Sequence, residues 1–241
     1  PNKKFQIKNK NYSFKKIILA LGKKYQDDKN IKKYSFSKDH TSYVGFFEHS
    51  KNHFQTAYEK FTLNGPIAIL PAPDKLKKKS TFIYSTKKQI SKSQLFNLIT
   101  KNFNQTHGSI KFKKNISHFE ILPHWSKDKY NKYFLIGDML RSIHPVAGQG
   151  WNLGIKDIQT LCKLLDQYSL EEKNFNSFYY SRRIVESSIF LSFTSLLNFF
   201  YEGKNKLNKK IVKVGFTGLR KVKFLRDVFI KQAMGRINLT D

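Results

Sequence analysis

The chain has one cysteine, Cys162, in 241 residues. One thiol excludes an intramolecular disulfide and any metal site built from several thiolates, and it suits a reducing compartment. No apolar run approaches the roughly 20 residues that cross a bilayer, and no secretory signal is visible. Acidic residues are scarce: 17 Asp and Glu stand against 45 Lys and Arg, a formal charge of +28. Such an excess suits nucleic acid or an anionic membrane surface. It equally suits lysines on a solvated surface, because Lys, Asn, Ile, Phe and Tyr are abundant together, as an AT-rich coding sequence would make them. Twelve glycines supply no G-x-G-x-x-G after a strand. Gly148-x-Gly150 is followed by Gly154, one residue too late for that dinucleotide fingerprint.

Enough apolar residues (39%, with 15% aromatic) remain for a sizeable core in one large domain or two small ones. The most informative stretch is Tyr133–Asp157. Tyr133–Ile136 is an aromatic, apolar run of strand character. Gly137-Asp138 ends it, and a loop with Pro145, Gly148 and Gly150 leads into a segment whose apolar residues (Leu153, Ile158, Leu161, Leu164, Leu165) recur at helical spacing. This pattern predicts strand, loop and helix. Glycines at such a junction let backbone N–H groups approach a ligand. The first helical turn adds unpaired N–H groups and the positive end of the dipole, which suit an anionic or electron-rich edge. Asp138 offers a carboxylate to a sugar-like hydroxyl. An ordinary strand–helix loop is the plain alternative.

This stretch resembles the second flavin-binding motif of the class A flavoprotein aromatic hydroxylases, in particular their ubiquinone-biosynthesis branch. That motif runs GDAAH, three residues, then PxxGQGxNxGxxD. Gly137, Asp138, His144, Pro145, Ala147, Gly148, Gln149, Gly150, Asn152, Leu153, Gly154 and Asp157 stand as that branch has them. Met139, Leu140 and Arg141 replace its usual Ala-Ala-His, and Trp151 replaces a smaller apolar residue. Ala57-Tyr58-Glu59-Lys60-Phe61 and Gly65-Pro66-Ile67-Ala68-Ile69-Leu70-Pro71 resemble the AYERF…GPLALLPL segment of the same branch, and Ala233-Met234-Gly235 a third. The likeness covers most of the chain from about Lys16.

The resemblance implies an α/β fold, α+β in this chain: an incomplete FAD/NAD(P)-binding flavoprotein hydroxylase fold with an antiparallel substrate-domain sheet and C-terminal helices. It divides the chain into a remnant of the FAD-binding domain (1–22), a substrate-binding sheet domain (23–125), the second FAD motif (126–170) and a helical region (171–241). By resemblance, Gly137, Asp138, Pro145, Gly148, Gln149, Gly150, Asn152 and Leu153 bind the cofactor. Asp138 would hold the ribityl chain, Pro145, Gly148 and Gly150 would shape the loop over the flavin ring, and amides near Asn152 and Leu153 would face its pyrimidine edge. No catalytic acid or base and no metal ligand is assigned. In the family a strand placed like Ile17–Ala20 ends in Asp-Gly near the nicotinamide donor; here it ends in Leu21-Gly22.

Elsewhere, Pro1–Lys16 is basic, polar and expected to hold little structure. Lys32–Ser37, Thr41–His49, His53–Thr62, Gly65–Leu70 and Thr81–Ser85 read as consecutive strands of one antiparallel sheet. Ser93–Phe103 reads as a short helix with Ser93 as N-cap, Phe119–Leu122 as a strand, and Phe175–Tyr201 as a long core helix. Cys162, among Leu161, Leu164 and Leu165, is expected to be a buried thiol. The histidines lack paired ligand spacing; His144 is expected to brace the loop before Pro145. Residues 205–235 alternate Lys with apolar residues, as a basic amphipathic pair on a membrane or a plain two-helix packing element would.

The function implied is an FAD-dependent monooxygenase that hydroxylates the ring of a polyprenylated phenol in ubiquinone biosynthesis. It would use O2 and NAD(P)H and sit in the cytoplasm or peripherally on the inner face of the cell membrane, with other ubiquinone-biosynthesis proteins as potential partners. Because the sequence opens on Pro1 and holds no ADP-binding turn, it is expected to be a fragment, inactive alone. Two alternatives stay open: another flavin-dependent reductase of the superfamily, and a non-catalytic basic module for membrane or nucleic acid. The aromatics fall at strand and helix periods, which argues for core and against nucleic acid.

Overall fold

A computed structural model describes residues 3–22, 29–35, 40–130, 133–144, 148–169 and 174–202, with isolated positions beyond. In chain order the strands are β1 (Lys3–Ile7), β2 (Lys10–Phe14), β3 (Ile17–Leu19), β4 (Ile31–Ser35), β5 (His40–His49), β6 (Tyr58–Thr62), β7 (Gly65–Pro71), β8 (Lys79–Thr86), β9 (Ile110–Ile121), β10 (His124–Asp128), β11 (Tyr133–Leu135) and β12 (Arg141–Ser142). The helices are α1 (Lys92–His107), α2 (Gly150–Gln167) and α3 (Phe175–Glu202). Contacts divide the chain into two compact units. The first comprises Pro1–Ser37, Leu122–Ser195 and Gly218–Asp241; the second comprises Lys38–Ile121 and Leu196–Thr217. Parallel and antiparallel pairing with helices gives the mixed α/β character expected.

In the first unit β3 pairs in parallel with β11, Ile17 opposite Tyr133 and Leu19 opposite Leu135. β10 lies between β4 and β12, antiparallel to both. Helix α2 buries Leu153, Asp157, Leu161 and Leu164, one stripe at helical spacing. Phe134 of β11 meets Phe175 and Tyr179 of α3 edge-on, at 5.5 and 5.4 Å. The hydroxyl of Tyr179 donates to the Leu135 carbonyl (2.8 Å) and that of Tyr180 to the Tyr133 carbonyl (3.0 Å), so α3 is pinned to β11. Burial pushes both phenols well above their ordinary ionisation range.

The second unit is a five-stranded antiparallel sheet in the order β6-β7-β8-β5-β9. Alternate residues Ile67 and Ile69 of β7, Phe82 and Tyr84 of β8 and Phe47 of β5 point to one face. Leu95, Ile99 and Phe103 of α1, four residues apart, close over it. A capping box fixes where α1 starts: the Ser91 hydroxyl accepts from the Gln94 amide, and the Gln94 side chain accepts from the Ser91 amide.

Five sequence expectations need correction. Residues 3–14 form a hairpin whose turn, Lys8-Asn9, has positive φ at both residues (45° and 62°), the geometry that matches strand twist. The segment read as strand Lys32–Ser37 pairs with β10 and takes no part in the five-stranded sheet. Strand β6 begins only at Tyr58, because Phe54 and Gln55 turn through positive φ. The cap of α1 is Ser91, not Ser93, since only Ser91 has Gln three residues on. Cys162 is exposed: it lies beside the buried stripe of α2, not on it. Residues 205–235 lie outside the described residues apart from isolated positions.

Candidate functional site

β11 ends at Leu135, and a single turn of 3-10 helix, Gly137–Met139, follows. Gly137 takes φ +59°, which favours glycine, and a Cβ built on it would meet nothing within 4 Å among the described residues. Its carbonyl accepts from the Leu140 amide (3.0 Å). Its own amide donates to Asp157 Oδ2 (2.8 Å). The turn therefore places Asp138 beside an open cleft of about 420 Å³, within the size range of small-molecule sites. Gly137, Asp138, Gly150, Trp151, Gly154, Ile155 and Ile158 line it, with Ala20 and Gly22 from the end of β3.

The start of α2 forms the other wall. Its N-cap, Gln149, makes no side-chain cap bond among the described residues. The first-turn amides of Gly150 and Trp151 have no carbonyl four residues back within the helix. Gly148 takes φ +58°, and Cβ atoms built on Gly148 and Gly150 would likewise meet nothing described within 4 Å. Gly154 packs close to the turn: its Cβ would stand 3.7 Å from the Gly137 Cα. Trp151 is 79% exposed at the mouth. The cleft thus has a carboxylate on one side, a helix dipole's positive end on the other, and apolar Ile136, Ile155 and Ile158 between. That set fits a planar, electron-accepting ring carrying a polyhydroxyl chain, which is the chemistry of a flavin.

The eight residues singled out in the sequence divide into groups. Gly137, Asp138 and Gly150 line the cleft, and Gly148 precedes it in the loop. Pro145 lies outside the described residues. Gln149 is buried, and its Oε1 accepts from Asn152 Nδ2 (3.0 Å), so this pair braces the helix start. Leu153 is turned elsewhere: its amide donates to the Gln149 carbonyl (3.0 Å), and its side chain packs with Ile143 and Leu191. The Leu153 amide is thus engaged within the helix start. His144 is buried just before the loop.

Sequence reasoning missed what holds the turn. Asp157 is fully buried, and besides Gly137 it receives Arg141 Nη1 and Arg183 Nε, both on Oδ1 at 2.8 Å. Arg183 also pairs with Glu186, which pairs with Lys156. Burial drives the Arg141 guanidinium pKa down, and Asp157 opposes that shift. Burial alone would raise Glu186, but Lys156 and Arg183 outweigh it and hold the carboxyl below its usual range. The i, i+3 pair Arg183/Glu186 was visible in the sequence; its meeting with Asp157 was not.

A second cluster lies in the other unit. His49 and His107 meet edge to face at 4.8 Å, and His53 is 6.0 Å from His49. All three are buried. His49 Nε2 bonds Ser80 Oγ (2.9 Å), and burial lowers the pKa of His49 and takes that of His107 down to about 4. Among the described residues no group of His, Cys, Asp and Glu is arranged to hold a metal ion, and no helix is long and apolar enough to cross a membrane.

A family model described as "FAD binding domain" matches residues 48–173, just over half of the chain. The chain is similar to the ubiquinone hydroxylase UbiM of Neisseria meningitidis serogroup C, 28% identical over 130 residues, which cover 52% of this chain and 28% of that protein. It is similar to the ubiquinone hydroxylase UbiL of Rhodospirillum rubrum, 30% identical over 135 residues, with 52% and 30% covered. The match thus spans under a third of these relatives' length. Among solved structures, the flavin-dependent brominase Bmp2 superposes with a TM-score of 0.73 at 11% identity, over 100% of this chain and 62% of that one. This last likeness is one of fold.

Proposed function

The chain belongs to the FAD-binding-domain family, and from that premise we propose that its Gly137–Asp138 turn and the start of α2 hold the flavin end of FAD. The enzyme in which they do so is an aromatic-ring monooxygenase acting on a polyprenylated phenol in ubiquinone biosynthesis. The observation that carries the reading is that Asp138 and the α2 N-terminus line one cleft, where Cβ atoms built on Gly137 and Gly150 would meet nothing within 4 Å among the described residues. Similarity to UbiM and UbiL, both named ubiquinone hydroxylases, supports a hydroxylase of the ubiquinone pathway. Bound FAD would supply the activation of O2, with NAD(P)H as reductant.

The chain's own residues bind, orient and exclude water. Asp138 accepts hydrogen bonds from hydroxyls of the ribityl chain. The amides of Gly150 and Trp151, with the helix dipole, favour the electron-rich pyrimidine edge and stabilise negative charge on the reduced ring. Ile155, Ile158 and Trp151 keep water from one face. In this reading residues 1–22 and 126–170 form the FAD-binding part, 23–125 the substrate-binding domain and 171–241 the helical region. A polyprenyl tail brings the substrate to a membrane surface, so contact of 205–235 with the inner face of the cell membrane belongs to the proposal. Co-flotation of the chain with anionic vesicles, lost when 205–235 are removed, tests it.

The sequence holds no Gly-rich strand–helix turn for the adenosine half of FAD, so the chain alone should bind FAD weakly. Titration followed by flavin fluorescence should nonetheless saturate, and Asp138→Ala should weaken it about tenfold, the loss of a charge-assisted hydrogen bond. Equal affinity in the variant would refute the site. The reaction is tested with the chain extended by any in-frame coding sequence upstream of Pro1. Given a polyprenylphenol, NADH or NADPH and O2, it should yield a product heavier by one oxygen. Reduction of a prenyl double bond instead would transfer the site to the reductase alternative.

A further inference from the structure

The charged cluster beneath the Gly137 turn has no part in the binding scheme above, yet it reaches the cleft through one bond. We infer that Asp157 is a positioning residue for the cofactor: its carboxylate clamps the Gly137 amide and so sets where Asp138 points, and Arg141 and Arg183 hold the clamp in place. The inference rests on the flavin reading of the cleft and deepens it.

Gly137 needs such a restraint. It has the widest backbone freedom of any residue and sits at φ +59°. On its cleft side no described atom lies within reach of a Cβ, so packing does not hold it there. Two hydrogen bonds fix the peptides that flank it: the carbonyl accepts from Leu140, and the amide donates to Asp157 at 2.8 Å. The second ends on a fully buried carboxylate, where a charge-assisted bond is strong and water does not compete.

The carboxylate in turn is oriented from two sides. Oδ1 receives Arg141 from β12 and Arg183 from α3, leaving Oδ2 for Gly137. Arg183 is also tied to Glu186 and reaches the Leu153 carbonyl (3.4 Å). Arg141 differs: its Nε and Nη2 are buried with no hydrogen-bond partner among the described residues. A guanidinium that leaves two donors idle contributes little as a structural strut. Its useful bond is the one to Asp157, which aligns the oxygen pair with the turn.

The test uses the whole chain, Asp157→Glu and Asp157→Asn. Glu keeps the charge for both arginines but moves the oxygens by one methylene. In the unaltered chain the Gly137 amide, which opens the 3-10 turn and bonds the Asp157 side chain, should exchange slowly with solvent; free exchange there would overturn the clamp by itself. In Asp157→Glu its exchange should speed about tenfold while Leu161 and Leu164 amides in α2 keep their protection. The FAD dissociation constant should rise by about the same factor, with Asp157→Asn larger on both counts. A folded Asp157→Glu chain with unchanged Gly137 exchange and unchanged FAD affinity would sink the inference. Absence of FAD binding by the unaltered chain would instead sink the flavin reading, and the exchange data would still decide the clamp.

Discussion

The two units differ in the charged groups that they bury. In the first, Arg141, Lys156, Asp157, Arg183 and Glu186 are buried together and paired with one another. In the second, the buried polar side chains among the described residues are Ser, Thr and His. The difference follows from what each unit presents. A sheet covered by one helix is held by apolar packing and satisfies its backbone within the ladder. A glycine turn beside an open cleft has no packing on one side. It must be held from behind by bonds strong enough to fix an otherwise free backbone. Buried ion pairs add little net stability over apolar packing, but removing one member is costly. They are therefore suited to fixing a geometry.

The comparison can be broken most directly at Arg183. Replacing it with Met leaves Arg141 as the cation at Asp157 and Lys156 as the cation at Glu186 among the described residues, all out of water. Urea unfolding followed by amide exchange should show α2 and β11 losing roughly 3–5 kcal/mol, with β5 and β8 protection unchanged. Equal loss in both units would mean that the charged cluster supports more than the turn. The counterpart in the second unit is Gly45→Ala. A Cβ there would stand 2.8 Å from the Phe82 ring, which is fully buried. Overpacking of this kind should cost about 1–3 kcal/mol, and Phe82→Leu in the same chain should recover part of it.

Acid separates the units without mutation. His49 and His107 have pKa values pushed down by burial, His107 to about 4 from 6.5, and each feels the other or His53 as a further charge. The carboxylate facing the group is Asp74, which acts weakly in the opposite sense on His49. Well above 6.5 these rings are neutral in both folded and unfolded chains. As pH falls from 6.5 towards 4 the unfolded chain takes up protons that the folded one refuses, so stability falls. The loss by pH 4.5 should be roughly 1–3 kcal/mol, read from β5 and β8 protection. Glu186 behaves otherwise. Its lowered pKa gives stability that is present above 4.5 and lost only as pH falls through the depressed value. Between pH 6.5 and 4.5 the second unit should therefore weaken while the Glu186 ion pairs persist. Parallel loss in both would remove the distinction.

Much of this contrast was hidden in the sequence, for a physical reason. Local chemistry was legible: the strand ending at Gly137, the glycine loop, the apolar stripe of α2 and the alternation in β5, β7 and β8 each follow from periods of 2 or 3.6. Partnership across long separations was not. Arg141, Asp157 and Arg183 lie on three different elements, and nothing in their spacing says that their side chains meet. The same holds for His49 and His107, joined by pairing of β5 with β9 and the end of α1. Placing Lys32–Ser37 in the large sheet fails for the same cause. The strand over Ile31–Ser35 has the composition of its neighbours, and only the pairing with His124–Asp128 assigns it to the other unit.

The smallest effect probes an exposed polar bond of the second unit. Ser91 satisfies the Gln94 amide at the start of α1, and Gln94 returns the bond to the Ser91 amide. This pair is exposed, so water replaces much of what a mutation removes. Ser91→Ala should cost about 1 kcal/mol, far less than Arg183→Met although both changes delete hydrogen bonds to backbone or charged groups. Ser93→Ala, two residues on, should be nearly silent, because among the described residues the Ser93 hydroxyl meets the Ser91 hydroxyl and no backbone amide. If Ser91→Ala proved as costly as the change at Arg183, burial would not be what separates the units. The strength of a polar bond here would then depend on the element it anchors, and the charged cluster would lose its special standing beneath the cleft.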